Sequence, residues 1–133
     1  MTNLSDNNII HAFLNPKSVA VIGASKNPVK GGNRIVHNLV INNYEGKVFP
    51  INPNAKGKVH GLDFKKSVLD IEGEVDLAIF YVPNRVIPSL LEDCIKKGIK
   101  GAIIEASGFE EVGELGLQLR DDILKITDNF KKI

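Results

Sequence analysis

Cysteine is almost missing from this 133-residue sequence, in which Cys94 stands alone. One thiol forms no intramolecular disulfide and no cysteine cluster for zinc, which fits a reducing compartment. A dominant charge is missing too. Seventeen Lys and Arg against sixteen Asp and Glu leave a formal +1. That is too little to give the broad positive field a polyanion needs, so nucleic acid is excluded as a partner and any bound anion must be small and locally held. No apolar run approaches the roughly 20 residues that span a bilayer. The stretch from Met1 to Asn8 lacks the charged-then-apolar layout of a secretory signal. A cytoplasmic protein, away from any membrane, is expected. The length suits one domain covering residues 1–133 and argues against a two-lobed enzyme.

What is present is a globular balance, 43% hydrophobic and 25% charged. Four apolar runs rich in β-branched residues predict strands: Ser18 to Gly23, Lys47 to Asn52, Val75 to Val82 and Gly101 to Glu105. None alternates strictly, as expected of strands covered on both faces. Helical spacing predicts helices at Asp6 to Leu14, Asn33 to Asn42, Asn84 to Lys97 and Glu111 to Thr127. The third of these ends on Lys96, Lys97 and Gly98, a basic last turn before a C-terminal glycine. From Pro53 to Glu74 no helical stripe exists, only a Gly- and Lys-containing loop and a short turn near Lys65 to Ile71. Strand alternating with helix predicts an α/β fold, a doubly wound, Rossmann-like parallel sheet.

Ligands of such sheets bind beyond the carboxyl ends of the strands, where strand order reverses. Four loops fall there. The first, from Gly23 to Gly32, follows a strand and opens a helix, the setting in which backbone N–H groups hold a phosphate. Gly23 supplies the tight turn, and Ser25, Lys26 and Asn27 add a hydroxyl, a cation and an amide. Gly31 and Gly32 allow close backbone approach to a ligand. The G-x-G-x-x-G dinucleotide fingerprint is not met after Gly23, which disfavours an NAD site. The second loop carries Asn52, Pro53 and Asn54, then Lys56 and Lys58. An NAD site usually has an acidic residue there. An amide and two cations instead favour a phosphorylated adenosine, as in coenzyme A or NADP. The third loop, Val82-Pro83-Asn84, offers a flat apolar wall to an adenine ring and equally reads as a helix start. The fourth presents Ser107, Gly108 and Phe109 after the last strand, with Glu105 either ending that strand or standing beside a ligand tail.

In order, PKSVAVIGASKNP, GKVFPINPNAKG, VDLAIFYVP and KGIKGAIIEASGFEEVGELG resemble the CoA-binding domain of the ADP-forming (NDP-forming) acyl-CoA synthetases, relatives of the succinyl-CoA ligase α subunit. The resemblance runs from Asn15 to Leu119 and implies coenzyme A as ligand. It places the CoA phosphates on Gly23, Ala24, Ser25, Lys26 and Asn27. The phosphoadenosine end falls on Asn52, Pro53 and Lys56, the adenine on Val82 and Pro83, and the pantetheine on Ser107 and Gly108. It also implies partners: a phosphohistidine domain and an ATP-grasp domain, neither within this sequence. On this reading the chain is the N-terminal part of a longer protein, with a fifth strand expected to begin near Phe130, and it is not catalytic alone.

No histidine matches a catalytic motif; His11, His37 and His60 read as surface or packing residues, with His60 within reach of a ligand phosphate. Where succinyl-CoA ligases have Thr-Glu-Gly, this chain has Ala106-Ser107-Gly108. Cys94 sits on an apolar helical stripe and reads as a buried hydrophobe, and Asp121-Asp122 as a solvated helix face. Two other functions stand beside the synthetase domain: a stand-alone CoA- or nucleotide-sensing regulatory module, and an NADP-binding redox domain.

Overall fold

The computed structural model describes residues 10–105 and 113–131. A helical turn at residues 10–14, α1, leads into β1, Ser18–Ile22, all five residues of which are buried. The chain then forms α2 (Gly31–Ile41), β2 (Lys47–Ile51), the short strands β3 (Lys58–Val59) and β4 (Leu62–Asp63), β5 (Leu77–Phe80), α3 (Ile87–Lys97), β6 (Gly101–Ile104) and α4 (Glu114–Lys131).

Four strands make one parallel sheet in the order β2-β1-β5-β6. Side chains alternate across it. Val19 and Val21 of β1 pack with Val36 of α2 on one face, while Ala20 and Ile22 join Phe80, Ile87, Leu91 and Cys94 on the other. Because both faces are covered, neither set could be polar, which explains why the strand sequence shows no alternation. Phe80 is fully buried in the α3-side core; truncating it to Ala is expected to cost about 3–5 kcal/mol. Gly98 ends α3 in the left-handed conformation at φ +83, as the sequence predicts, its N–H bonded to Ile95.

Differences from the sequence reading have local causes. Helix α2 starts two residues early, because Gly31 and Gly32 enter the helix with Lys30 extended at the N-cap. Asn84–Val86 forms a 3₁₀ turn ahead of α3. The third strand is shorter than Val75 to Val82, although Tyr81 still donates its N–H to Ile22 O at 2.8 Å. The long second crossover lacks an α-helix, as expected, yet it is not simply loop. It folds a two-residue hairpin, β3–β4, then returns to the sheet at Lys65, which bridges Ile51 in parallel before the 3₁₀ turn Val68–Asp70. Phe130, where a further strand was expected to begin, lies within α4. Glu111 and the first residues of the leading helix fall outside the described residues.

Candidate functional site

Strand order reverses between β1 and β5: the chain leaves β1 for β2 on one side and β5 for β6 on the other. The carboxyl ends of these two strands therefore diverge and leave a crevice above them. A cleft of about 1150 Å³ opens there, walled by Gly23, Ser25, Asn52, Pro53, Val82 and Pro83 among others.

Three glycines shape the turn beside it. Gly23 turns at φ +93, and a β-carbon on it would overlap the carbonyl oxygen of Tyr81. One on Gly32 would overlap the carbonyl of Gly23, and one on Gly31 would enter the ring of Tyr81. The close approach that the sequence assigns to a ligand at Gly31 and Gly32 is thus made by the protein itself. It seats the start of α2 directly on the turn after β1.

The first loop's hydrogen bonds divide its residues into builders and open donors. Gly23 and Ala24 both donate their N–H to Ile51 O, at 3.0 and 3.2 Å, and Ala24 is fully buried. The N–H groups of these two residues lock the loop to β2. Asn27 accepts from Val29 N through Oδ1 and from Lys30 N through its carbonyl, both at 3.0 Å, while its own N–H donates to Ser25 Oγ at 3.1 Å. Asn27 therefore builds the turn. The N–H groups of Ser25, Lys26, Gly31 and Gly32 have no acceptor among the described residues. Lys30 makes no side-chain cap bond, so the positive end of α2 faces the cleft with its first donors open.

The second loop is fastened to the first. Asn52 donates Nδ2 to Ala24 O at 2.9 Å and accepts from Asn54 N at 2.9 Å, while its own N–H donates to Lys65 O at 3.0 Å. Lys56 is exposed and does not wall the cleft. Lys26 reaches across to the same loop, where a β-carbon on Gly57 would stand 3.3 Å from its Nζ. Lys58 starts β3, opposite Asp63. The cations on the cleft wall are instead Lys30 and Lys66. Lys30 was within reach of sequence reasoning, as the residue ahead of a Gly-Gly helix start. Lys66 was not, because its place follows from the return of the chain beside β2 at Lys65.

Beyond Tyr81, Val82 and Pro83 the wall is formed by Val86, Ser89 and Leu90, ending at the carboxylates of Asp93 and Glu105. The cleft lining thus combines lysines and open donors with an apolar stretch and two carboxylates. Ser107 and Gly108 lie outside the described residues. His60 does not wall the cleft: its Nε2 meets Asn33 Oδ1 at 3.0 Å, and its ring centroid lies 5.1 Å from that of His37. Burial, together with the neighbouring charge of Asp93, pushes the Cys94 thiol up to about 12, which excludes it as a thiolate nucleophile. Among the described residues no group of three or more His, Cys, Asp or Glu is arranged to hold a metal ion, and no helix is long and apolar enough to cross a membrane.

A parallel, doubly wound sheet with open helix-start donors and lysines at its switch point defines a Rossmann-like domain that takes a phosphorylated ligand. More narrowly, the chain belongs to the CoA binding domain family, which matches residues 17–129. Over 111 residues it is 50% identical to an ADP-forming acetate–CoA ligase II of Archaeoglobus fulgidus, a match covering 84% of this chain and 16% of that protein. It is 44% identical over 126 residues to the α subunit of ADP-forming acetate–CoA ligase I of Pyrococcus furiosus, covering 91% of this chain and 27% of that subunit. The structure of acetyl-coenzyme A synthetase 1 of Ca. Korarchaeum cryptofilum, in complex with phosphate and ADP, superposes with a TM-score of 0.85 at 36% identity, over 92% of this chain and 26% of that one. The chain therefore spans only 16% to 27% of the length of these curated relatives.

Proposed function

We propose that the cleft binds coenzyme A and that the chain serves as the CoA-binding domain of an ADP-forming acyl-CoA synthetase. The reaction is acyl-CoA + ADP + phosphate ⇌ acid + CoA + ATP. The observation that carries this reading is the mixed lining of one cleft. It brings the open N–H groups of Ser25 and Gly32, with Lys30 and Lys66, together with an apolar stretch at Val82, Pro83 and Leu90. Coenzyme A calls for both kinds of lining, with three phosphates on one part and a long, weakly polar arm on the other.

In this role the first loop and the start of α2 hold the diphosphate. The loop bearing Asn52, Pro53 and Lys56, with Lys66 beside it, takes the ribose phosphate. Val82 and Pro83 flank the adenine, and the arm passes Leu90 toward Glu105, Ser107 and Gly108. The chain binds and orients the thiol. Activation of the acid belongs to partner domains or subunits, a phosphohistidine domain and an ATP-grasp domain, and the assembly works in the cytosol.

Calorimetric titration with CoA, dephospho-CoA and NADP tests the reading. CoA is expected to bind tightest, with dephospho-CoA weaker and NADP weakest. Lys66→Ala should narrow the gap between CoA and dephospho-CoA, and Lys56→Ala should narrow it less, because Lys56 is exposed and off the cleft wall. Equal binding of NADP and CoA would favour a redox domain instead, and no binding at millimolar CoA would overturn the proposal.

A further inference from the structure

The hairpin β3–β4 turns through His60 and Gly61, at φ +48 and +81. Two positive φ values between paired residues Val59 and Leu62 mark the kind of turn for which Asn-Gly is the preferred pair. Histidine, like asparagine, tolerates a positive φ, but its longer side chain reaches something that asparagine could not.

That something is Asn33, 5% exposed in the first turn of α2. Its Nδ2 donates to Ser25 O at 2.8 Å, and its Oδ1 meets His60 Nε2 at 3.0 Å. The two bonds fix each other's direction. With Nδ2 committed to a carbonyl, Oδ1 is the acceptor, so His60 carries its proton on Nε2 and donates it. Reversing the amide would set two oxygens against each other at Ser25. His37, with its ring 5.1 Å away and tilted by 53°, packs beside the imidazole. The chain of bonds runs from a hairpin outside the cleft, through a buried amide, to the backbone of the loop that walls it. Ser25 O belongs to the peptide whose N–H is that of Lys26, so fixing this carbonyl fixes the direction of one of the open donors.

We infer that His60 and Asn33 are positioning residues for the anion-binding loop, and that the β3–β4 hairpin thereby sets the affinity of the cleft for CoA. The inference rests on the CoA reading above. Preorganised donors bind without the cost of ordering them, and a loosened loop loses that advantage.

Two substitutions at His60 separate tethering from folding. His60→Asn suits the positive φ but is too short to reach Asn33. His60→Gln keeps an N–H donor at nearly the same reach and does nothing for the turn. Melting temperature should therefore rank His60→Asn at or above the parent and His60→Gln at or below it. CoA affinity should rank the opposite way, with His60→Gln near the parent and His60→Asn weaker by about five- to tenfold, the scale of one net hydrogen bond. Without ligand, amide exchange at Asn27, whose N–H is bonded to Ser25 Oγ, should quicken in His60→Asn and hold its parent rate in His60→Gln.

If the parent chain binds CoA and His60→Asn binds it equally well, or if His60→Gln loses as much as His60→Asn, the tether is wrong and the CoA reading stands. If the parent fails to bind millimolar CoA, the affinity claim falls with that reading. Unchanged exchange in His60→Asn overturns the tether on its own.

Discussion

A β-carbon added to Gly32 would overlap the carbonyl oxygen of Gly23. The start of α2 can sit on the turn after β1 only because Gly32 lacks a side chain, while the missing side chain of Gly23 makes room for the Tyr81 carbonyl. Gly32→Ala is therefore expected to destabilise the fold by about 1–3 kcal/mol, the usual cost of overpacking, and to abolish CoA binding because the helix start must move. Gly98→Ala is the comparison. Gly98 has φ +83 but nothing within 4 Å of an added β-carbon, so only the left-handed strain of about 1–2 kcal/mol applies and CoA binding should survive. Thermal melts with and without CoA distinguish the two. Equal loss of binding in both would show that global stability, not the Gly23–Gly32 seat, sets affinity.

The four long strands were legible because each is a nearly unbroken apolar run, and α3 because Ile87, Leu91 and Cys94 share one face ahead of Gly98. What escaped depends on contacts far apart in sequence. The strands Lys58–Val59 and Leu62–Asp63 are two residues each, too short for any periodicity to register. The placing of Lys66 on the cleft wall follows from the Ile51–Lys65 bridge. The role of Gly31 depends on the ring of Tyr81, fifty positions away. The candidate loops could thus be read from strand ends, whereas the division between loop-building and open donors could not.

That division gives the second prediction. Lys30 and Lys66 stand on the cleft wall while Lys56 and Lys58 do not. Lys30→Ala and Lys66→Ala should each weaken CoA binding roughly tenfold or more, as expected when a charged hydrogen-bonding partner is removed, with little change in melting temperature. Lys58→Ala should leave binding within about twofold, because a solvated charge outside the cleft is screened. Titrations at low and moderate salt check this ranking, and a larger loss at Lys58 than at Lys30 would move the phosphate site to the hairpin.

Cys94 supplies a third. It is 3% exposed, and its thiol is pushed up to about 12. At neutral pH almost none is thiolate, so a thiol-specific reagent should label the native protein only through opening of α3, at a rate that denaturant raises steeply. CoA should slow labelling, because the neighbouring Leu90 and Asp93 wall the cleft and a bound ligand disfavours opening. Rapid labelling of the native protein would contradict the burial.

The last concerns acid, at the end of the sheet away from the cleft. Asp76 accepts from Lys17 N at 2.8 Å and faces Lys100 Nζ at 3.1 Å. Burial alone would raise its carboxyl, but the Lys17 N–H and the Lys100 ammonium outweigh that and hold it below the ordinary 3.8. A carboxyl lower in the folded than in the unfolded state binds fewer protons when folded. Its contribution is therefore complete above about pH 4 and is lost as pH falls through the folded value. Asp76→Asn should cost about 1–2 kcal/mol at neutral pH, the worth of hydrogen bonds to a charged group, and the gap to the parent should close on acidification. Denaturant unfolding of both proteins from about pH 7 down to about pH 2 measures this. A gap that stays constant across the series would mean that the charge on Asp76 contributes nothing and that only the shape of its side chain matters.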